Sequence, residues 1–232
     1  MEKTAFEAME RYMLAQMKDS AHDKYHIYRV LYAALDIAET EADVDMDVLL
    51  AACLLHDVGR EAQAKDLALC HAQIGGDMAY SYLRQTGWPP DKALHVKNCI
   101  RAHRYRRNNE PESIEAKILF DADKLDVTGA LGVARALQYG GQISEPLYIL
   151  DAKNELVVEA SDAERTSFFQ EYSYKLGHVL DRLYTKRAKE ISRIREKAMT
   201  DFYRHLFSEI QGLHKNGAER LGALLTKELS ME

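Results

Sequence analysis

Residues 48–55, VLLAACLL, are apolar without a break, and the next two residues are His56 and Asp57. The run is far too short to cross a bilayer, which takes about 20 residues. A helix apolar on several sides belongs at the centre of a globular domain rather than on its surface. Two requirements follow. Other amphipathic helices must surround this one, and its end carries a histidine and a carboxylate into an interior where an unpartnered polar group is costly.

The remaining sequence supplies such helices. Apolar residues make up 47% of the 232, enough for a real core, and only four prolines and twelve glycines interrupt them. Helical periodicity predicts a first helix over 4–18. A second, capped by Asp23, carries the apolar stripe Ile27, Val30, Leu31, Ala34 and Ile37. The central helix spans 46–57 and is ended by Gly59, and a fourth covers 69–86 up to TGWPP. Asp91 caps a fifth reaching Ala102, and a long helical stretch over 112–139 breaks near Gly129 and Gly132. Residues 141–163 lack a sustained period and read as an irregular connection or short hairpin. Charged amphipathic helices resume over 164–212 and 215–230. The expected fold is all-α: a core over 1–140, the connection over 141–163, and C-terminal helices over 164–232 packing on that core.

Charge and cysteine usage narrow the setting. A net charge of −6 exerts no general pull on nucleic acid or anionic membrane, although RAHRYRR (101–107) is a local basic cluster. Cys53, Cys70 and Cys99 form no CxxC pair and fit free thiols in a reducing cytoplasm. The opening MEKTAFEAMERYM carries acids where a secretion signal would be basic. The sequence contains neither a GxSxG nor a phosphate-binding GxxxxGK[ST] motif.

Polar groups with chemical potential occur inside the apolar helices: His26, His56, Asp57, His71, His103, Asp121, Asp123 and Asp126. Neutral imidazole with carboxylate suits a divalent ion such as Mn, Fe, Co, Ni or Zn. His56 and Asp57 point about 100° apart on an ideal helix, so both reach one ion only where the helix ends or distorts. Partners would have to come from separate helices meeting in the core.

The segments HDKYH, LLHDVGR and EAKILFDADKLDVTGALGVAR resemble the HD-domain superfamily of metal-dependent phosphohydrolases over residues 20–140. CHAQIGG and CIRAHRYR resemble its small stand-alone hydrolases. The resemblance implies a single HD-type helical domain and one divalent metal ion (Mn, Fe, Co, Ni, Mg or Zn) held by His26, His56, Asp57 and Asp123. Asp121, two residues from Asp123, lies on the other helix face and should not share the ion. Asp126, one turn on, becomes a group that orients a ligand or a bound water. Arg60 stands where some members place a phosphate-contacting lysine, and Glu61 where others place a proton acceptor. His22, one turn before His26, His71, His103 and Arg104 become substrate-contacting residues. Some members use two further histidines for a second metal, but the spacing from His56 to His71 and on to His103 departs from that pattern and GYP is absent, so His71 and His103 read as substrate or supporting groups.

The expected activity is hydrolysis of a phosphoester or phosphoanhydride in a nucleotide or other small phosphorylated metabolite, by a water that the metal activates. A phosphodiesterase or guanosine-polyphosphate hydrolase is the alternative within enzymes. A non-catalytic nucleotide- or RNA-binding module with a structural metal is the alternative outside them, and the acidic net charge argues against it. The expected setting is cytoplasmic, with no membrane partner, and the C-terminal helices admit a homodimer.

Overall fold

The computed structural model describes residues 1–17, 24–66, 68–104, 109–159, 167–174 and 176–228. Its α-helices are α1 (Lys3–Gln16), α2 (Lys24–Ala38), α3 (Met46–Leu55), α4 (Arg60–Lys65), α5 (His71–Gln85), α6 (Pro90–Ala102), α7 (Ile114–Leu125), α8 (Gly129–Gln142), α9 (Phe168–Tyr174) and α10 (Lys186–Glu228). Two short 3₁₀ turns, Leu176–His178 and Leu180–Arg182, precede α10. Among the described residues, extended pairing is limited to one isolated antiparallel bridge, Leu150 with Leu156. Among the described residues the fold is all-α, and no helix is long and apolar enough to cross a membrane.

The chain divides into two compact units. One comprises Met1–Val127 with Leu180–Arg193, the other Thr128–Val179 with Ile194–Glu232. In the first, α3 is the axis. Val48, Leu49, Ala51, Ala52, Cys53, Leu54 and Leu55 are all buried, and α1, α2, α5, α6 and α7 pack around them. Asp45 starts the helix by accepting from the backbone N–H groups of Asp47 and Val48 at 3.1 and 3.2 Å, the usual role of a short carboxylate at that position. Ser113 does the same for α7 through Ala116 N–H at 3.2 Å.

In the second unit, Tyr203 of α10 stacks between Tyr172 and Phe168, with ring centroids 3.5 and 4.9 Å away. Met199, Tyr203 and Ile210 are buried, whereas Leu213, Leu221, Leu224 and Leu225 farther along α10 are exposed.

Several boundaries differ from the periodicity reading. The central helix stops at Leu55, and Gly59 has φ −85° rather than a left-handed conformation; it precedes the short helix α4, which the sequence reading lacked. Helix α6 begins with Pro90 in its first turn, so Asp91 lies inside the helix and does not cap it. The long stretch breaks at 126–128, where Gly129 takes φ 66°, and not at Gly132. The final helix runs through 213–214 without interruption, because glycine weakens a helix without obliging it to end. Asp23 lies outside the described residues.

Candidate metal centre

The site is assembled from helix ends and from helix faces that turn polar. His26 stands in the first turn of α2, beside the buried stripe of Ile27, Val30, Leu31, Ala34 and Ile37. Its Nδ1–H donates to Asp126 Oδ2 at 2.7 Å, a carboxylate that also accepts from Arg29 Nε at 2.7 Å and Nη2 at 3.0 Å. His56 closes α3, and its Nδ1–H donates to the Cys53 carbonyl at 2.8 Å. His71 opens α5 and directs Nδ1 to Gln63 Oε1 at 2.6 Å. His103 closes α6 and donates from Nδ1 to the Ile100 carbonyl at 2.6 Å.

All four rings thus engage an oxygen acceptor through Nδ1, which assigns a proton there and makes Nε2 the nitrogen whose lone pair can meet an ion. Those nitrogens face one another in pairs: His26 with His56 at 3.3 Å, and His71 with His103 at 3.3 Å. Two lone pairs at that distance repel unless a cation or a proton lies between them.

Asp57 stands between the pairs. Its Oδ2 is 3.5 Å from His26 Nε2 and 3.7 Å from His56 Nε2. Its Oδ1 is 3.7 Å from both His71 Nε2 and His103 Nε2. Oδ2 is buried without a hydrogen-bond partner. Asp123 Oδ1 approaches His26 Nε2 at 3.5 Å. Donors bound to one ion at about 2.1 Å stand roughly 3.0–3.5 Å apart, close to these separations. Among the described residues, two groups, His26–His56–Asp123 and Asp57–His71–His103, each have their ligand atoms within 4.8 Å of one another. The mixed nitrogen and oxygen donors fit a divalent transition ion.

Cations balance the acids. Arg60 Nε donates to Asp57 Oδ1 at 2.9 Å. Lys124 Nζ donates to Asp123 Oδ2 at 2.6 Å and to the His103 carbonyl at 3.2 Å. Burial pushes Asp57 and Asp123 toward the neutral form, but Arg60 with His56 and His26, and Lys124 with His103 and His26, overcome it and hold both well below the usual carboxylate range. Burial also disfavours a charged His26; its bond to Asp126 and the nearby Asp57 and Asp123 charges outweigh this and raise its pKa to about 9. Burial dominates at the other three rings. His56 is lowered, His71 falls to about 2 with help from Arg60, and His103 to about 3 with help from His56.

A contact between backbones brings His71 to Asp57. A Cβ at Gly59 would lie 2.3 Å from the His71 carbonyl oxygen and 2.6 Å from Gly75 N. Glycines at 59 and 75 therefore let the turn after Asp57 rest directly on α5.

The remaining candidate residues have partners of their own. Glu61 pairs with Lys65 on its own helix at 2.8 Å. Arg104 Nη1 lies 3.6 Å from Cys70 Sγ and is close enough to His71 to help keep it neutral. Arg60 pairs with Asp57 at 2.9 Å. Asp121 faces away from the imidazoles: its carboxylate accepts from the Tyr184 and Thr185 backbone N–H groups and from the Thr185 hydroxyl. His22, Arg106 and Arg107 lie outside the described residues. Arg29, Lys124 and Gln63 escaped the sequence reading; the helical spacing of Arg29 from His26 and the adjacency of Lys124 to Asp123 were the available signals.

This helical core, with histidines and aspartates gathered where its helices end, defines a class. Residues 24–128 match the HD domain family. YpgQ of Bacillus subtilis is 27% identical over 197 residues, which cover 84% of this chain and 88% of that protein. The crystal structure of Bacillus subtilis YpgQ in complex with ADP superposes with a TM-score of 0.69 at 26% identity, over 90% of this chain and 99% of that one. A Bacillus thuringiensis HD-superfamily hydrolase gives a TM-score of 0.66 at 26% identity, over 89% and 97%.

Proposed function

We propose that the protein is a metal-dependent phosphohydrolase acting on a nucleotide or another small phosphorylated metabolite. One observation carries this reading: Asp57 Oδ2, buried and unpartnered, faces the Nε2 atoms of His26 and His56. His26, His56, Asp57 and Asp123 would hold one divalent ion. When bound, such an ion lowers the pKa of a coordinated water and polarises a phosphoryl oxygen.

The chain's own groups supply the rest. Asp126 fixes the ring of His26. Arg60 and Lys124, paired with Asp57 and Asp123 in this structure, are cations placed for the equatorial oxygens of a phosphoryl group. Hydrolysis joins a water oxygen to phosphorus and breaks the bond to the leaving oxygen. Glu61 takes the water's proton in this reading, and Arg104, His71, His103 and His22 contact the substrate. The ADP bound by the YpgQ structure supports a nucleotide as ligand.

The test is a screen of nucleotides and phosphorylated metabolites with Mn, Co, Ni, Mg and Fe, alongside Asp57→Ala. Turnover by the wild type and none by the variant supports the reading. If no compound turns over with any ion, the binding-module alternative prevails; it requires strongly salt-dependent RNA affinity.

A second reading has its own support. Asp57, His71 and His103 form a further group able to hold an ion, and two ions would suit a phosphodiesterase. Stoichiometry separates the readings: one bound ion per chain supports the first, two the second.

A further inference from the structure

We infer that Arg29 is a positioning residue for the metal centre, acting on His26 through Asp126; the inference rests on the metal-centre reading above. Arg29 lies one turn beyond His26 on α2, and both side chains meet the same carboxylate. Asp126 is buried, and its own backbone N–H bonds the Asp123 carbonyl at 3.2 Å, so the carboxylate is anchored to the turn of α7 that carries a second metal-facing residue.

The Arg29 fork occupies both oxygens of Asp126, which fixes the carboxylate plane. Oδ2 then presents a remaining lone pair to His26 Nδ1–H. That bond determines which nitrogen of His26 carries the proton and where Nε2 points. The linkage also ties α2 to α7, the helices that supply His26 and Asp123, and so maintains the 3.5 Å approach of His26 Nε2 to Asp123 Oδ1. Without Arg29, Asp126 loses two guanidinium donors that help to hold its plane, and the ring it orients can turn.

Mn²⁺ binding to the full chain, followed by the electron paramagnetic resonance of the free ion at one fixed pH, tests this without reference to turnover. Arg29→Met should weaken Mn²⁺ binding by about 10–100-fold, the usual effect of losing support behind a ligand. Asp126→Asn should do the same. The double variant should bind no more weakly than Asp126→Asn alone, because in this inference Arg29 acts through Asp126. Arg29→Lys, which keeps the charge and loses the fork, should fall between wild type and Arg29→Met, and it serves if Arg29→Met does not fold.

Additive losses in the double variant, or wild-type affinity in folded Arg29→Met or Arg29→Lys, would overturn the inference alone. Failure of the wild type to bind Mn²⁺, Co²⁺ or Ni²⁺ would overturn the metal-centre reading and the inference with it.

Discussion

Replacing Asp57 by alanine removes the carboxylate whose two oxygens face both imidazole pairs. An ion bound only by the folded protein stabilises it by about 2.7 kcal/mol at a concentration one hundred times its dissociation constant. Urea unfolding with Mn²⁺ and with EDTA should show a gain of that order in the wild type and none in Asp57→Ala. His26 adds a pH signature. Its folded pKa of about 9 exceeds the ordinary value of 6.5, so in the metal-free protein its contribution to stability is fully present below pH 6.5 and lost as pH rises through 9. An incoming ion must displace that proton. Calorimetry at pH 7.5 in buffers of different ionisation enthalpy should therefore register release of about one proton per Mn²⁺. Observed heats that do not change with the ionisation enthalpy of the buffer would contradict this. At this scale the order His26, His56–Asp57, Asp123 was legible as a motif. Arg29, Lys124 and Gln63 were not, because spacing from His26 or adjacency to Asp123 does not by itself tell whether a basic or amide side chain on a helix meets a buried partner or solvent.

Gly59 matters through what its missing Cβ would touch. Gly59→Ala drives a methyl group into the His71 carbonyl, so α5 must move away from Asp57. Forced overpacking of this kind costs about 1–3 kcal/mol, and unfolding by urea should show the loss. Gly217→Ala is the contrasting substitution, since a Cβ there meets nothing within 4 Å inside α10. It should stabilise by about 0.5–1 kcal/mol, the difference in helix propensity. A larger loss at 217 than at 59 would show that helix propensity, rather than the backbone contact, governs both sites. Most helices were legible because their apolar positions repeat with the helical period. Helix α4 was not, being only six residues long without a buried member. The continuity of α10 was obscured by Gly212 and Gly217, whose local cost its 43 residues absorb.

The first unit contains residues separated by more than fifty positions from the rest of it. Asp121 explains part of that return. Its buried carboxylate accepts from Tyr184 and Thr185, and Arg187 reaches back to Asp36 with bonds of 3.1 and 3.0 Å. Asp121→Ala leaves those donors without their acceptor and should cost at least about 1.5–3 kcal/mol, the scale for hydrogen bonds to a charged group; an unchanged urea midpoint would refute it. Periodicity assigned the later helices to the C-terminal part as a block. It could not reveal that 180–193 fold with the first unit, because pairing over such a distance leaves no trace in local spacing.

The bonds of Asp121 bear on how this domain can be inherited or borrowed. The stretch matching the HD family ends at residue 128, yet a fragment cut there would enclose an acid whose four donating contacts had been left behind. Gene fusion, duplication or laboratory grafting could transplant the module intact only by carrying residues 180–193 as well, so the smallest movable piece is discontinuous.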